Sequence, residues 1–160
     1  MNERDIELSA LVGSTLDAGS EVRFPVDGRS MLPFIRPGDV VCLRPLRDGE
    51  PSLGDVVAMR GMPGGGLLVH RVVRRRGGLY LLRGDNTTAD NGEHGRGQIL
   101  GVVRSVERNG RNVPFGAGRW RALVVLAVRP GAVNLFNRLR LKFPLGASRL
   151  RRQKGDDGNE

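Results

Sequence analysis

The chain has 160 residues, enough for one domain with a buried core. With 24 Gly, 9 Pro and only 4% aromatic residues it suits short strands joined by turns, and its one cysteine excludes a disulfide framework. The net charge of +9 is uneven: up to Gly118, 16 basic against 14 acidic residues leave +2, whereas from Arg119 onward 10 against 3 leave +7.

Residues 1–19 read as an N-terminal helical region. Leu8, Leu11, Val12 and Leu16 fall on one face at helical spacing, and Gly19 is a stop signal. No long apolar core is present here, so neither a secretory signal nor a membrane span is expected. The expected location is therefore the cytoplasm or the periphery of a membrane.

Residues 20–115 read as a β domain. Strands are expected over 21–26, 39–43, 55–59, 67–73, 79–82 and 99–106, with a tight hairpin turn over 107–111 and a short return strand at 113–115. Cys42 lies inside an apolar run and is expected to be buried. Gly84 to Gly97 reads as one long polar loop, of the kind that often carries function.

Residues 116–152 read as a basic amphipathic helical segment. Trp120, Leu123, Val124, Leu126, Leu135, Phe136 and Leu139 mix there with arginines on either side of a Pro130-Gly131 break, and neither half is long enough to cross a membrane. Peripheral contact with a membrane through residues 120–142 is one expectation; packing on the β domain is the other. Residues 153–160 are expected to be a disordered tail.

The chemistry centres on Ser30. It stands in Asp27-Gly28-Arg29-Ser30-Met31-Leu32-Pro33, a turn that follows the first strand, where a hydroxyl can meet a substrate beside backbone N–H groups. His70 stands in Val69-His70-Arg71-Val72, and a third motif is Gly84-Asp85-Asn86 with Asp90 beyond it. Imidazole titrates near neutrality and can serve as a base without strong desolvation. One Cys and two His provide no metal cluster, so no metal and no cofactor are expected.

In this order, the three motifs resemble the signal peptidase I family, within the superfamily that also holds the self-cleaving LexA-type repressors. The resemblance covers about residues 20–105. It rests on Ser30-Met31-Leu32-Pro33, the Gly38-Asp39-Val40-Val41 and Gly54-Asp55-Val56-Val57 strands, and the Gly84-Asp85-Asn86 turn. It implies a small, partly open antiparallel β-barrel, flanked here by an N-terminal helix and a C-terminal helical segment.

The resemblance also implies a serine endopeptidase that cleaves a leader or signal segment from a precursor peptide or protein. Ser30 would be the nucleophile. His70 takes the place of the usual lysine, as in the endoplasmic-reticulum, archaeal and sporulation-type members. Asp90 is favoured over Asp85 as the acid that assists His70, with Asp85 shaping the turn. Met31, Pro33 and Gly28 would line the substrate groove. Many relatives carry Ser or Thr where this chain has Gly28, so the oxyanion would rest on the Ser30 N–H, and activity would be weak or substrate-restricted.

Two other readings compete. One is a catalytically weak or inactive peptide-binding module. The other is a basic nucleic-acid-binding domain, disfavoured because stacking platforms need aromatic residues that this chain lacks. The sequence carries no signal for an oligomeric state.

Overall fold

The computed structural model describes residues 3–61, 66–117 and 124–125, with side chains from residue 7 onward. Most of the expected C-terminal helical segment, the tail and the tip of the 61–66 turn lie outside the described residues.

The fold is mainly β, as expected. Among the described residues one helix, α1 (Glu3–Asp17), precedes eight strands: β1 (Val22–Pro25), β2 (Val40–Arg44), β3 (Val56–Arg60), β4 (Leu67–Arg76), β5 (Leu79–Arg83), β6 (Glu93–Gly95), β7 (Ile99–Arg108) and β8 (Arg111–Asn112). All pair antiparallel in one sheet of order β1-β2-β7-β3-β4-β5-β6, with β8 also on β7. β7 joins two halves, since Val102 is registered with Arg44 of β2 and with Val57 of β3. Register shifts at Cys42/Leu43, Ala58/Met59 and Val72/Arg74 add twist, and the sheet curls into a half-barrel.

The two Gly-Asp motifs build the same turn twice. At Arg36-Pro37-Gly38-Asp39, Gly38 has φ +85° and the Asp39 N–H donates to the Arg36 carbonyl at 3.0 Å. The Asp39 carboxylate accepts the Arg36 N–H at 2.8 Å. At Ser52-Leu53-Gly54-Asp55, Gly54 again has φ +85°, and Asp55 accepts the Ser52 N–H at 2.8 Å. A glycine is needed where φ is positive, and the following Asp ties the turn back to its first residue. Each turn then feeds a Val-Val strand, β2 or β3. The 107–111 turn expectation also holds: Asn109 and Gly110 have φ +51° and +74°, the pattern of a tight primed hairpin.

The main core gathers Val12 and Leu16 of α1 with Phe24, Val41, Leu43, Val56, Ala58, Val103 and Val106 of the sheet. The helix face differs from expectation. Ser9, Val12, Gly13 and Leu16 are buried, while Leu8 and Leu11 are exposed at 39% and 64%. Small residues at 9 and 13 let the helix lie close to the sheet, which rotates the larger leucines outward. The expected polar loop 84–97 also departs from expectation at its end, where Glu93–Gly95 pairs with β5 and a short 3-10 turn, Arg96–Gln98, leads into β7. Three residues without apolar alternation gave no strand signal.

Candidate active site

Ser30 opens a helical turn between β1 and β2. The Leu32 N–H donates to the Arg29 carbonyl and the Ile35 N–H to the Met31 carbonyl, at 3.3 and 3.0 Å. Met31 and Ile35 point into the core at 4% and 1% exposure, and this anchors the turn from below. Ser30 itself is half-buried. His70 lies on β4 and is almost fully buried, at 4% exposure. Its Nε2 stands 3.2 Å from the Ser30 Oγ. Residues 40 apart in sequence thus meet at hydrogen-bond distance.

The reason they meet is Gly84. β4 and β5 pair Arg71 with Arg83, so one step along this register sets His70 across from Gly84. A Cβ on Gly84 would fall 2.7 Å from the Ser30 carbonyl oxygen and 2.9 Å from the Ser30 Cβ. Ser30 therefore occupies the space that any side chain at 84 would need. The Asn86 N–H then donates to the Ser30 carbonyl at 2.7 Å, and the Asn86 side-chain amide reaches the Arg29 carbonyl at 3.4 Å. The Gly84-Asp85-Asn86 turn is a clamp on the backbone of the Ser30 turn.

Asp85 fixes the clamp to the body of the sheet. Arg71 Nε and Nη2 donate to its two carboxylate oxygens, both at 2.7 Å, and both side chains are fully buried. Arg71 also donates to the carbonyls of Gly54, Phe115 and Gly116, at 2.9, 3.0 and 3.0 Å, and its guanidinium lies over the Phe34 ring. Burial pushes the Asp85 carboxyl up, and the hydrogen bonds from Arg71 oppose that shift. A charge-assisted pair of this geometry is strong when intact and costly when one partner is lost.

The expectation of an assisting acid is corrected here. Asp85 is committed to Arg71, and Asp90 lies 3.4 Å from Arg83 with its side chain 41% exposed. The His70 Nδ1 is buried and has no hydrogen-bond partner among the described residues, so neither carboxylate holds the imidazole. The arginine neighbours on β4 and β5 take both carboxylates. Arg71 directly follows His70 in the sequence, and that adjacency was the available sign of the competition.

Burial lowers the His70 pKa below its usual range, and the charge of His94 lowers it further. The imidazole is therefore neutral near pH 7, the form that a base needs. His94 is buried on β6, and its Nε2 donates to the Asn91 carbonyl at 2.8 Å.

Of the expected groove residues, Gly28 and Pro33 are exposed beside Ser30. A Cβ on Gly28 would meet only the Ser30 Oγ, at 4.0 Å. Met31 is corrected: its side chain fills the core and offers nothing to a substrate. Behind Phe34 lies an apolar cleft of about 340 Å³ lined by Val113, Phe115 and Val124. Among the described residues no group of His, Cys, Asp and Glu is set to hold a metal. Compared with known proteins, the sequence matches no protein-family model and no curated protein.

Proposed function

We propose that the protein is a serine endopeptidase of signal-peptidase type that cleaves a leader or signal segment from a precursor peptide or protein. The observation that carries this reading is the 3.2 Å approach of the His70 Nε2 to the Ser30 Oγ, with Ser30 half-buried on a turn whose Gly28 and Arg29 are exposed. His70 takes the Ser30 proton as the Oγ–carbon bond forms. The oxyanion is received by the Ser30 N–H. His70 then gives its proton to the leaving amine as the carbon–nitrogen bond breaks. Water, deprotonated by the same imidazole, releases the acyl group and restores the hydroxyl.

A fluorophosphonate probe tests the reading directly. It should label the protein at Ser30, and Ser30→Ala and His70→Ala should each abolish labelling. The double substitution should be no worse than either alone, because the pair acts as a unit. Absence of labelling in the full chain would remove the enzyme reading. It would favour the inactive peptide-binding module, which the unassisted His70 Nδ1 already supports.

A further inference from the structure

We infer that the resting site holds His70 as its Nε2–H tautomer, so that Ser30 is a hydrogen-bond acceptor and the nucleophile is locked until the imidazole changes tautomer. The inference concerns the regulation of the proposed active site and rests on that reading only for its consequence.

A neutral imidazole has one N–H donor and one acceptor nitrogen. In the working tautomer, Nδ1 carries the proton and Nε2 accepts from the Ser30 hydroxyl. That arrangement strands a buried N–H, because Nδ1 has no partner among the described residues. In the other tautomer, Nε2–H donates to the Ser30 Oγ across the 3.2 Å contact. The Ser30 hydroxyl, half-buried on an open turn, keeps its own proton and can donate to solvent. Every donor is then satisfied and only a lone pair is left bare. Unpaired buried N–H groups are the rarer and costlier defect. The usual remedy, a carboxylate on Nδ1, is missing: Asp85 is paired with Arg71, and Asp90 is directed to Arg83 with its side chain partly exposed. Unlocking moves one proton in balance: Nε2 releases its proton to solvent and Nδ1 takes one up.

Stranding one buried donor shifts such an equilibrium by about 5- to 150-fold, so the working tautomer is the minor form at rest. The chain has two histidines, which makes the test direct. The full-length protein is labelled with nitrogen-15 in both imidazoles, and long-range proton–nitrogen correlations are recorded at mildly alkaline pH. His94 is an internal standard, since its bond to the Asn91 carbonyl requires Nε2–H. His94→Gln assigns the two patterns. The expected result is that His70 shows the same pattern as His94. A protonated Nδ1 on His70, or an even mixture, overturns the lock. Fluorophosphonate labelling is read separately: labelling with a protonated Nδ1 removes the lock and keeps the peptidase, whereas an Nε2–H pattern in a protein that stays unlabelled even over times long enough to offset a ~150-fold slowing keeps the tautomer assignment and removes the peptidase.

Discussion

A glycine decides whether this site exists. The close approach of Ser30 to Gly84 leaves no room for a methyl group, and the atoms in the way are backbone and Cβ, which cannot swing aside. Gly84→Ala is expected to push Ser30 off His70 and to lower the labelling rate by about 10²-fold, the scale of a misplacement near 1 Å. Overpacking should cost stability by roughly 1–3 kcal/mol, seen as a lower urea midpoint with the fold retained. Gly28 is the opposite case. A side chain there enters open space beside the Ser30 Oγ, so Gly28→Ser should fold normally and raise the labelling rate by supplying a second oxyanion donor. An unchanged or lower rate for Gly28→Ser would remove the oxyanion argument. The pH profile belongs to His70. Because its pKa is lowered by burial, the neutral base persists below the ordinary value, and the acid limb of labelling should have its midpoint below pH 6.5. A midpoint above that value would mean that another group controls the rate.

At the scale of elements, the buried Arg71–Asp85 pair is a strut between β4 and the turn after β5. Arg71→Met leaves Asp85 buried without its partner and should destabilise the protein by about 3–5 kcal/mol in urea unfolding. The double variant Arg71→Met/Asp85→Leu should cost clearly less than the two single costs added, because no lone charge remains. Asp90→Asn, by contrast, should change stability by no more than about 0.5 kcal/mol, since its contact with Arg83 is long and partly exposed. A second strut organises the loop between β2 and β3. Glu50 accepts two hydrogen bonds from Arg44, at 2.7 and 2.6 Å, and one from the Arg47 N–H, and Arg44 foremost holds its carboxyl at about 2. The folded value lies below the ordinary 4.5, so this contribution is complete above pH 4.5 and is lost as pH falls toward 2. Glu50→Gln should flatten that part of the acid unfolding curve. These struts also show what was legible beforehand. The strands announced themselves through short runs of paired valines and Gly-Asp turns, and Ser30 and His70 through residue type and local setting. The acid did not, because carboxylate partners are chosen by three-dimensional neighbours. Arg71 and Arg83 are adjacent only across the β4–β5 pairing, and a chain read in one dimension cannot weigh them against His70.

For the whole molecule, no helix among the described residues is long and apolar enough to cross a membrane. We propose that residues 120–142 contact an anionic membrane surface, on the strength of their apolar and basic mixture, with about 1 kcal/mol per basic residue near the surface. Co-sedimentation with liposomes should need anionic lipid, weaken at high salt and vanish when the chain is cut at Gly118. Undiminished binding by the shortened chain would remove the idea. Val124 packs against Phe34 and over Gly116, so the same cut also uncovers the apolar cleft and should lower the urea midpoint.

The place of β7 in the sheet has a consequence for how the molecule comes into being. Ser30 belongs to the β1–β2 hairpin and His70 to the β3–β4 hairpin, and within the sheet these two are bridged only by β7, which is made after both. Pairing β2 with β7 brings together residues some sixty positions apart, the kind of distant contact that makes folding slow. On the ribosome, then, Ser30, His70 and the Gly84-Asp85-Asn86 clamp are all synthesised before the strand that registers the two hairpins, so the clamp has no fixed frame to hold until β7 arrives. A nascent chain that has not yet reached Ile99 carries the two residues without the strand that bridges their hairpins. Stalled chains released before Ile99 should fail to react with fluorophosphonate, and chains extended through Phe115 should begin to react. If the proposed peptidase reading holds, the late strand would thereby act as a built-in delay, keeping the site unassembled while the chain is still being made.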